Sequence, residues 1–307
     1  MPSQAERLFK KIEERRWMGR IVPIDHLTDL REAINSRCGH GLIDEALFRD
    51  QLTVFSFDPP FDLRSARSIL IVAVPTPQMR IVFRWRGEPL PLIVPPTYVS
   101  YTPRTNAVQD VLQKWLREDG YHLSRPRLPL KTLAVRSGLA TYGRNNITFV
   151  PGMGSFLQLV GAFTDLPCDS DPWRLPKALD RCGSCVACMR HCPTGAITED
   201  RFLLHAERCL TYHNEAAADF PNWIDPAWHH CLIGCMRCQT ACPENKAFLE
   251  WFEDRGEFSE QETALFIRRV PLARLPAKTA DKLKSLEINE DYRLLCRNLS
   301  MIVGRSI

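Results

Sequence analysis

The chain has 307 residues, 40 Lys and Arg against 36 Asp and Glu, a formal charge of +4, and 12 cysteines. With 45% hydrophobic and 25% charged residues it is neither disordered nor membrane-like in bulk composition, and at about 150 residues per domain its length predicts two domains. The longest convincing apolar run, residues 69–74, ends at Pro75, well short of the roughly 18 residues a membrane span needs.

Arg15 and Arg16 form a twin-arginine pair, but Asp25 and His26 interrupt the apolar stretch an export signal requires, so the pair reads as a solvated helix face. Residues 68–74 (SILIVAV) read as a buried strand closed by Pro75 and Pro77. Residues 81–99 read as short strands broken by Pro89, Pro91, Pro95 and Pro96. A helix over 105–118 is capped by Thr105 or Asn106 and carries Val108, Val111, Leu112 and Trp115 on one face. A second helix runs from Pro129, at its first position, to a stop at Gly138, and residues 155–163 read as a third. Ser259 and Glu262 form a capping box before a further helix, and 277–303 is helical in pieces. These elements predict an α/β domain over 1–165, a cysteine-rich domain over 166–255, and a helical tail over 256–307 packing on the N-terminal domain.

Charge is uneven along this layout. Residues 1–150 hold 22 basic and 15 acidic side chains, and 11 against 4 of these lie in 80–144. From Gly120 to Thr164 there is no carboxylate side chain.

Nine of the cysteines fall between Cys182 and Cys242. In a chain without export, so many thiols imply metal in a reducing, cytoplasmic setting and not a disulfide framework. Cys182-x2-Cys185-x2-Cys188-x3-Cys192-Pro193 has the spacing of a bacterial ferredoxin motif, whose fourth thiolate serves the other cluster of a pair. Cys235-x2-Cys238-x3-Cys242-Pro243 supplies that other site. Reciprocal sharing gives one [4Fe–4S] cluster on Cys182, Cys185, Cys188 and Cys242. The second uses Cys192, Cys235, Cys238 and one further thiol, for which Cys209 and Cys231 compete. A zinc ribbon needs neither the third close thiol nor the trailing Pro. Cys231-x3-Cys235-x2-Cys238 also has radical S-adenosylmethionine spacing, but Cys242-Pro243 continues it in ferredoxin fashion. Cys38, Cys168 and Cys296 stand alone and read as buried thiols.

The stretches CGSCVACMRHCPTGAI (182–197), Cys209-Leu-Thr-Tyr212 and GCMRCQTACPENK (234–246) resemble the epoxyqueuosine reductases. So do Gly138-Leu-Ala-Thr-Tyr-Gly143-Arg144-Asn145, similar to a family GLGWIGKN loop, GSFLQLVGAFTDL (154–166), and Arg297-Asn298. The resemblance implies an α/β (α+β) corrinoid-binding N-terminal domain with an inserted ferredoxin-like double [4Fe–4S] domain and a helical C-terminal tail. It implies cobalamin beside the two clusters, and it assigns Cys209 as the last ligand of the second cluster. Cofactor contacts are expected from Gly138, Tyr142, Gly143, Arg144, Asn145, Asn146 and Ser155, with Arg144 on the corrinoid phosphate.

Two positions depart from the family. Its D-x-x-P aspartate, proposed there as a proton donor, falls at Leu123 or Ser124 of His122-Leu-Ser-Arg-Pro126, and its CPWN is CPEN, with Glu244. The substrate is therefore expected to differ, with Tyr142, Tyr98 or Tyr101 as candidate proton donors and Glu88 or Asp110 able to fold in. Expected partners are a low-potential donor such as ferredoxin or flavodoxin, and tRNA or a corrinoid protein; no membrane is expected. The alternative is an electron-transfer protein that reduces or activates a partner corrinoid protein without substrate chemistry of its own.

Overall fold

A computed structural model gives the architecture and describes residues 3–288 and 292–304. The chain forms two compact units, each assembled from separated stretches: Met1–Pro75, Thr102–Val186 and Ile197–Ala206 in the first, Thr76–Tyr101, Ala187–Ala196 and Glu207–Ile307 in the second.

The first unit is built on an antiparallel sheet whose strands lie in the order Met18–Pro23, Ser68–Pro75, Leu157–Thr164, Leu123–Ser124. Side chains alternate across a strand, so the unbroken apolar run at 68–75 serves two cores. Ile69, Ile71 and Ala73 pack with Leu27 and Leu30 of the helix Leu27–Gly39 and with Leu133, Ala134 and Val135 of the helix Leu130–Arg136. Leu70, Val72 and Val74 face Leu8 and Ile12 of the helix Gln4–Glu14 and Val108, Leu112 and Leu116 of the helix Tyr101–Glu118. That last helix starts four residues before the expected cap, and Val111 and Trp115 on it are half-buried. Gly138 follows the short helix at φ +77, the left-handed stop its position predicts.

The helix expected over 155–163 is instead the strand Leu157–Thr164, paired antiparallel with Ser68–Pro75 from Leu157↔Pro75 to Thr164↔Ser68. Every residue of it is buried, so its sequence carries no period by which helix and strand could be told apart. Gly161 marks the strand: a Cβ there would lie 2.8 Å from Leu130 Cδ2 and 3.0 Å from Pro126 Cγ, where the next layer comes close.

In the second unit, Gln78–Trp85 and Glu88–Val94 form a hairpin closed by Arg86 and Gly87, both at positive φ (53° and 81°), as a two-residue turn requires. Pro89 and Pro91 are tolerated because Glu88–Val94 is the outer strand of the sheet. On the other side of Gln78–Trp85 lies Phe252–Phe258, running parallel to it. Phe83 stacks on Phe258 at a centroid separation of 5.1 Å and Phe266 meets Phe258 edge-on at 4.9 Å, in one core with the helices Glu260–Ile267, Ala277–Ser285 and Tyr292–Val303. Ser259 and Glu262 form the expected capping box.

The boundaries expected at 165 and 255 are not where the chain divides. Residues 76–101 leave the first unit because Gln78–Trp85 is the central strand of the second sheet. The expected tail packs on that sheet, through Phe266, Leu283, Tyr292 and Leu299.

Candidate metal centre

All four thiols expected at the second cluster belong to the second unit. Cys209 is the N-cap residue of the helix Leu210–Glu215, with the backbone N–H groups of Thr211 and Tyr212 close to its sulfur. Cys235 accepts the N–H of Arg237, which opens the helix Arg237–Thr240 carrying Cys238. Cys209 lies within electrostatic reach of both Cys192 and Cys235. Cys231, fully buried, interacts with Cys235, while the nearby Met236 N–H donates to His230 Nε2 at 3.2 Å. Burial pushes the Cys209 thiol up and the Cys235 thiol up to about 12, and the neighbouring sulfurs add to both shifts. Desolvated thiols crowded together among N–H donors form a poor site for free thiolates and a good one for a cationic iron core, whose binding displaces the protons.

The spacing of the sulfurs bears on which metal group fits. A tetrahedral zinc draws its thiolates to about 2.3 Å from one point. Among the described residues no three His, Cys, Asp or Glu side chains gather closely enough to hold a single ion. The case for a cubane rests on the ferredoxin spacing of the cysteines.

Of the thiols expected at the first cluster, Cys182 and Cys185 lie in the first unit, and Cys188 and Cys242 in the second. Cys182 sits in the short turn Asp180–Gly183, tied to the glycine loop through Tyr142, whose backbone bonds Lys177 and Leu179 at 2.9 and 2.8 Å. This brings the backbone N–H of Arg144 to 3.4 Å from Cys182 Sγ, while its guanidinium donates to the Cys182 carbonyl.

The other residues expected at a corrin brace the same loop. Gly143 has no room for a side chain: a Cβ would lie 2.5 Å from Asn145 Oδ1 and 2.6 Å from Phe149 Cε2. Asn145 accepts the N–H of Ile147 at 3.2 Å. Asn146, at φ 55°, donates to the Phe202 carbonyl at 2.8 Å and accepts the N–H of Leu204 at 2.5 Å. Gly138 lies against the Arg174 guanidinium, and Ser155 is buried just ahead of the strand Leu157–Thr164.

The three candidate phenols sit in different surroundings. Tyr142 is a core residue whose hydroxyl lies 3.2 Å from that of Thr132, and burial pushes its phenol up. Tyr98 donates to Glu215 and lies within electrostatic reach of Cys209 and Cys231; burial, then the Glu215 charge, holds it well above its ordinary value. Tyr101 is 45% exposed.

One carboxylate was not anticipated. Asp62 accepts the Ser124 hydroxyl at 2.6 Å, at the position where the family's acid is replaced. The pair lines a cavity of about 1210 Å³ within the first unit, whose lining sets Lys114, Arg117, Arg125 and Arg127 against Asp58, Asp62, Asp110 and Glu118. Asp110, one of the expected substitutes, pairs with Arg125 at 3.6 Å. Nothing in the local sequence of Asp62 signals its approach, because the contact spans 62 residues.

The ferredoxin spacing of the cysteines over 182–192 and 235–242 marks the class of double-cluster iron–sulfur proteins. Residues 181–245 match the 4Fe-4S double cluster binding domain family. The chain is 33% identical over 116 residues to the epoxyqueuosine reductase of Bacillus subtilis, covering 38% of this chain and 29% of that protein. It is 34% identical over 117 residues to that of Escherichia coli, covering 38% and 30%. For that of Synechococcus the figures are 33% over 149 residues, 46% and 45%. These matches thus span less than half of each curated relative.

The fold agrees over a longer stretch. A structure of the B. subtilis enzyme superposes with a TM-score of 0.69 at 20% identity, over 98% of this chain and 81% of the other. One of epoxyqueuosine reductase with a modified tRNA stem loop gives 0.70 at 20%, over 98% and 80%. In its cluster segment the chain is similar to the epoxyqueuosine reductases, and it shares their fold. No helix among the described residues is long and apolar enough to cross a membrane.

Proposed function

We propose that this chain is a cytoplasmic oxidoreductase in which two [4Fe–4S] clusters pass single electrons from a donor such as ferredoxin or flavodoxin towards cobalamin. One cluster is held by Cys182, Cys185, Cys188 and Cys242, the other by Cys192, Cys209, Cys235 and Cys238. The substrate is one that differs from epoxyqueuosine. The observation that carries this reading is that the half-buried thiols Cys192, Cys209 and Cys235 lie within electrostatic reach of one another, on segments with ferredoxin cysteine spacing. Backbone N–H groups near sulfur favour its electron-rich state, and burial keeps water from it.

Cobalamin, when bound, supplies a strongly reducing metal for the organic substrate. The protein's part is to position and protonate. The resemblance supports corrin binding near residues 138–146, where Arg144 links the loop to Cys182. At the cavity beside Ser124, the Asp62 carboxylate joins the three tyrosines as a candidate acid, because it stands where the family's aspartate is replaced. A tRNA partner is supported by the likeness to the epoxyqueuosine reductase solved with a tRNA stem loop, and not by the charge of this cavity, where four cations face four carboxylates.

The second reading is an electron-transfer protein that reduces a partner corrinoid protein. It is favoured by the commitment of the Asn145 and Asn146 amides to the protein's own backbone.

Anaerobic reconstitution with iron, sulfide and cobalamin tests both. About eight irons per chain with retained corrinoid and a cobalt(II) resonance supports the enzyme. The same iron with no corrinoid retained sinks it and leaves the electron-transfer reading.

A further inference from the structure

The Arg297-Asn298 pair lies in the helix Tyr292–Val303 and is buried, at 6% and 0% exposure. A guanidinium has five N–H donors in a fixed fork. Here Nη1 donates to the carbonyls of Ala216 and Ala218, and Nη2 to those of His213 at 2.8 Å and Asn214 at 3.0 Å. Nε and Nη2 also donate to Asn298 Oδ1, at 3.1 and 3.0 Å. These carbonyls stand at and just beyond the C-terminal end of the helix Leu210–Glu215, where main-chain acceptors lack helical partners and the dipole favours a cation. Cys209 caps the other end of that helix.

Asn298 carries the connection across to the second ligand segment. Its amide nitrogen donates to Asn214 at 3.1 Å and to Leu232 at 2.9 Å, while the Asn214 amide donates to Gly234 at 2.6 Å. Leu232 and Gly234 immediately precede Cys235. The pair therefore ties the helix capped by Cys209 to the loop that presents Cys235, and Phe220 closes over the guanidinium with its ring centroid 4.2 Å away.

We propose that Arg297 is a positioning residue for the second cluster: it fixes the separation of Cys209 and Cys235, and its buried charge raises that cluster's reduction potential. This rests on the double-cluster part of the function proposed above, and not on cobalamin. The guanidinium's hydrogen-bond partners are four carbonyls and an amide oxygen, and none is a carboxylate; Asp219 and Arg269 lie within electrostatic reach and act on the charge in opposite senses. Four thiolates make a cubane site net negative, and one added electron makes it more so. A nearby fixed cation stabilises the reduced form.

The test uses the full chain, reconstituted anaerobically with iron and sulfide, as wild type, Arg297→Lys and Arg297→Met. Iron and sulfide are counted, and each cluster's midpoint is read by redox titration under electron paramagnetic resonance. The expected result is about eight irons in wild type and about four in Arg297→Met, with circular dichroism unchanged. Arg297→Lys, which keeps charge without the fork, is expected to retain most of the iron with a broadened second-cluster signal. If Arg297→Met keeps its iron, the second cluster's midpoint must fall while the first stays put. Should Arg297→Met fail to fold, Arg297→Lys decides, and a wild-type signal, midpoint and iron count in it overturn the proposal. Unchanged iron and both midpoints unchanged in Arg297→Met also overturn it, as does a wild type that holds only one cluster. Full iron in wild type with no corrinoid retained leaves the proposal standing and sinks the enzyme reading alone.

Discussion

The backbone N–H of Arg144 points at Sγ of Cys182 across 3.4 Å, and the same residue's guanidinium holds the Cys182 carbonyl. The glycine loop, which the family resemblance connects with the corrin, is thus fastened to the first thiol of the first cluster motif. An N–H aimed at a liganding sulfur stabilises negative charge there. Arg144→Met removes the side-chain half of this clasp and frees the turn. Iron loss to a chelator is then expected to become biphasic, with one half leaving several-fold faster than in wild type. A single unchanged phase would show that the clasp does not bear on the cluster.

Gly143→Ala probes the same loop from inside. The new Cβ would sit 2.5 Å from Asn145 Oδ1 and 2.6 Å from Phe149 Cε2, so the turn or the ring has to move. Overpacking of this kind costs about 1–3 kcal/mol. A lowered denaturation midpoint at unchanged slope, together with faster release of the first cluster's iron, is the expected outcome. Stability equal to wild type would mean the loop relaxes freely.

The choice between Cys209 and Cys231 is open to direct measurement. Cys209 reaches both Cys192 and Cys235, whereas Cys231 is sealed in the core beside Cys235. Cys209→Ser is expected to drop the reconstituted chain from about eight irons to about four, and Cys231→Ser to leave about eight. The reverse pattern would reassign the ligand.

Acid should loosen the second unit through its parallel strand pair. The hydrogen bond from Arg80 holds the Asp254 carboxyl below its ordinary value, and that from Arg84 does the same for Glu257. A carboxylate whose folded value is depressed contributes fully above its unfolded value, near 4, and loses that contribution as pH falls through the folded one. Melting temperature is therefore expected to fall more steeply below about pH 4 in wild type than in Asp254→Asn/Glu257→Gln. Both pairs are exposed, so the difference is small and shrinks with salt. Parallel curves for the two proteins would remove these pairs from the acid response.

Ser124→Ala tests the unanticipated carboxylate contact. The hydroxyl is buried and donates to Asp62 at 2.6 Å, so its loss is expected to cost about 1–2 kcal/mol in chemical denaturation. No loss of stability would mean that water replaces the hydroxyl at Asp62.

What could be read from residues alone follows from the range of each interaction. Cysteine spacing is local, and the ferredoxin signature at 182–192 and 235–242 matches the double cluster domain over 181–245. The capping box at Ser259 and Glu262 and the stop at Gly138 are local too, and both were legible. Residues 157–164 failed as a helix because burial on both faces erased the periodicity that would have marked a strand. Phe252–Phe258, with the sequence FEDRGEF, looks like solvated turn until Arg80 and Arg84 arrive from far along the chain to pair its acids. Asp62 belongs to the same group: only the folded sheet brings it to Ser124. The Arg297-Asn298 dipeptide was visible as a likeness, but its work on the Cys209 helix depends on carbonyls about 80 residues away.

The parallel strand Phe252–Phe258 also sets a timetable for synthesis. Gln78 pairs with Phe252, so the hairpin that begins at residue 78 waits 174 residues for its second neighbour. At ribosomal speeds of about 5–20 residues per second, that wait lasts roughly 9 to 35 s. Through that interval an unpaired strand edge is open to unwanted pairing, and the Arg297 clamp emerges later still. Iron delivered to the nascent chain would meet thiols that have nothing to hold them apart, so cluster loading on this protein is best suited to a chain already released and folded.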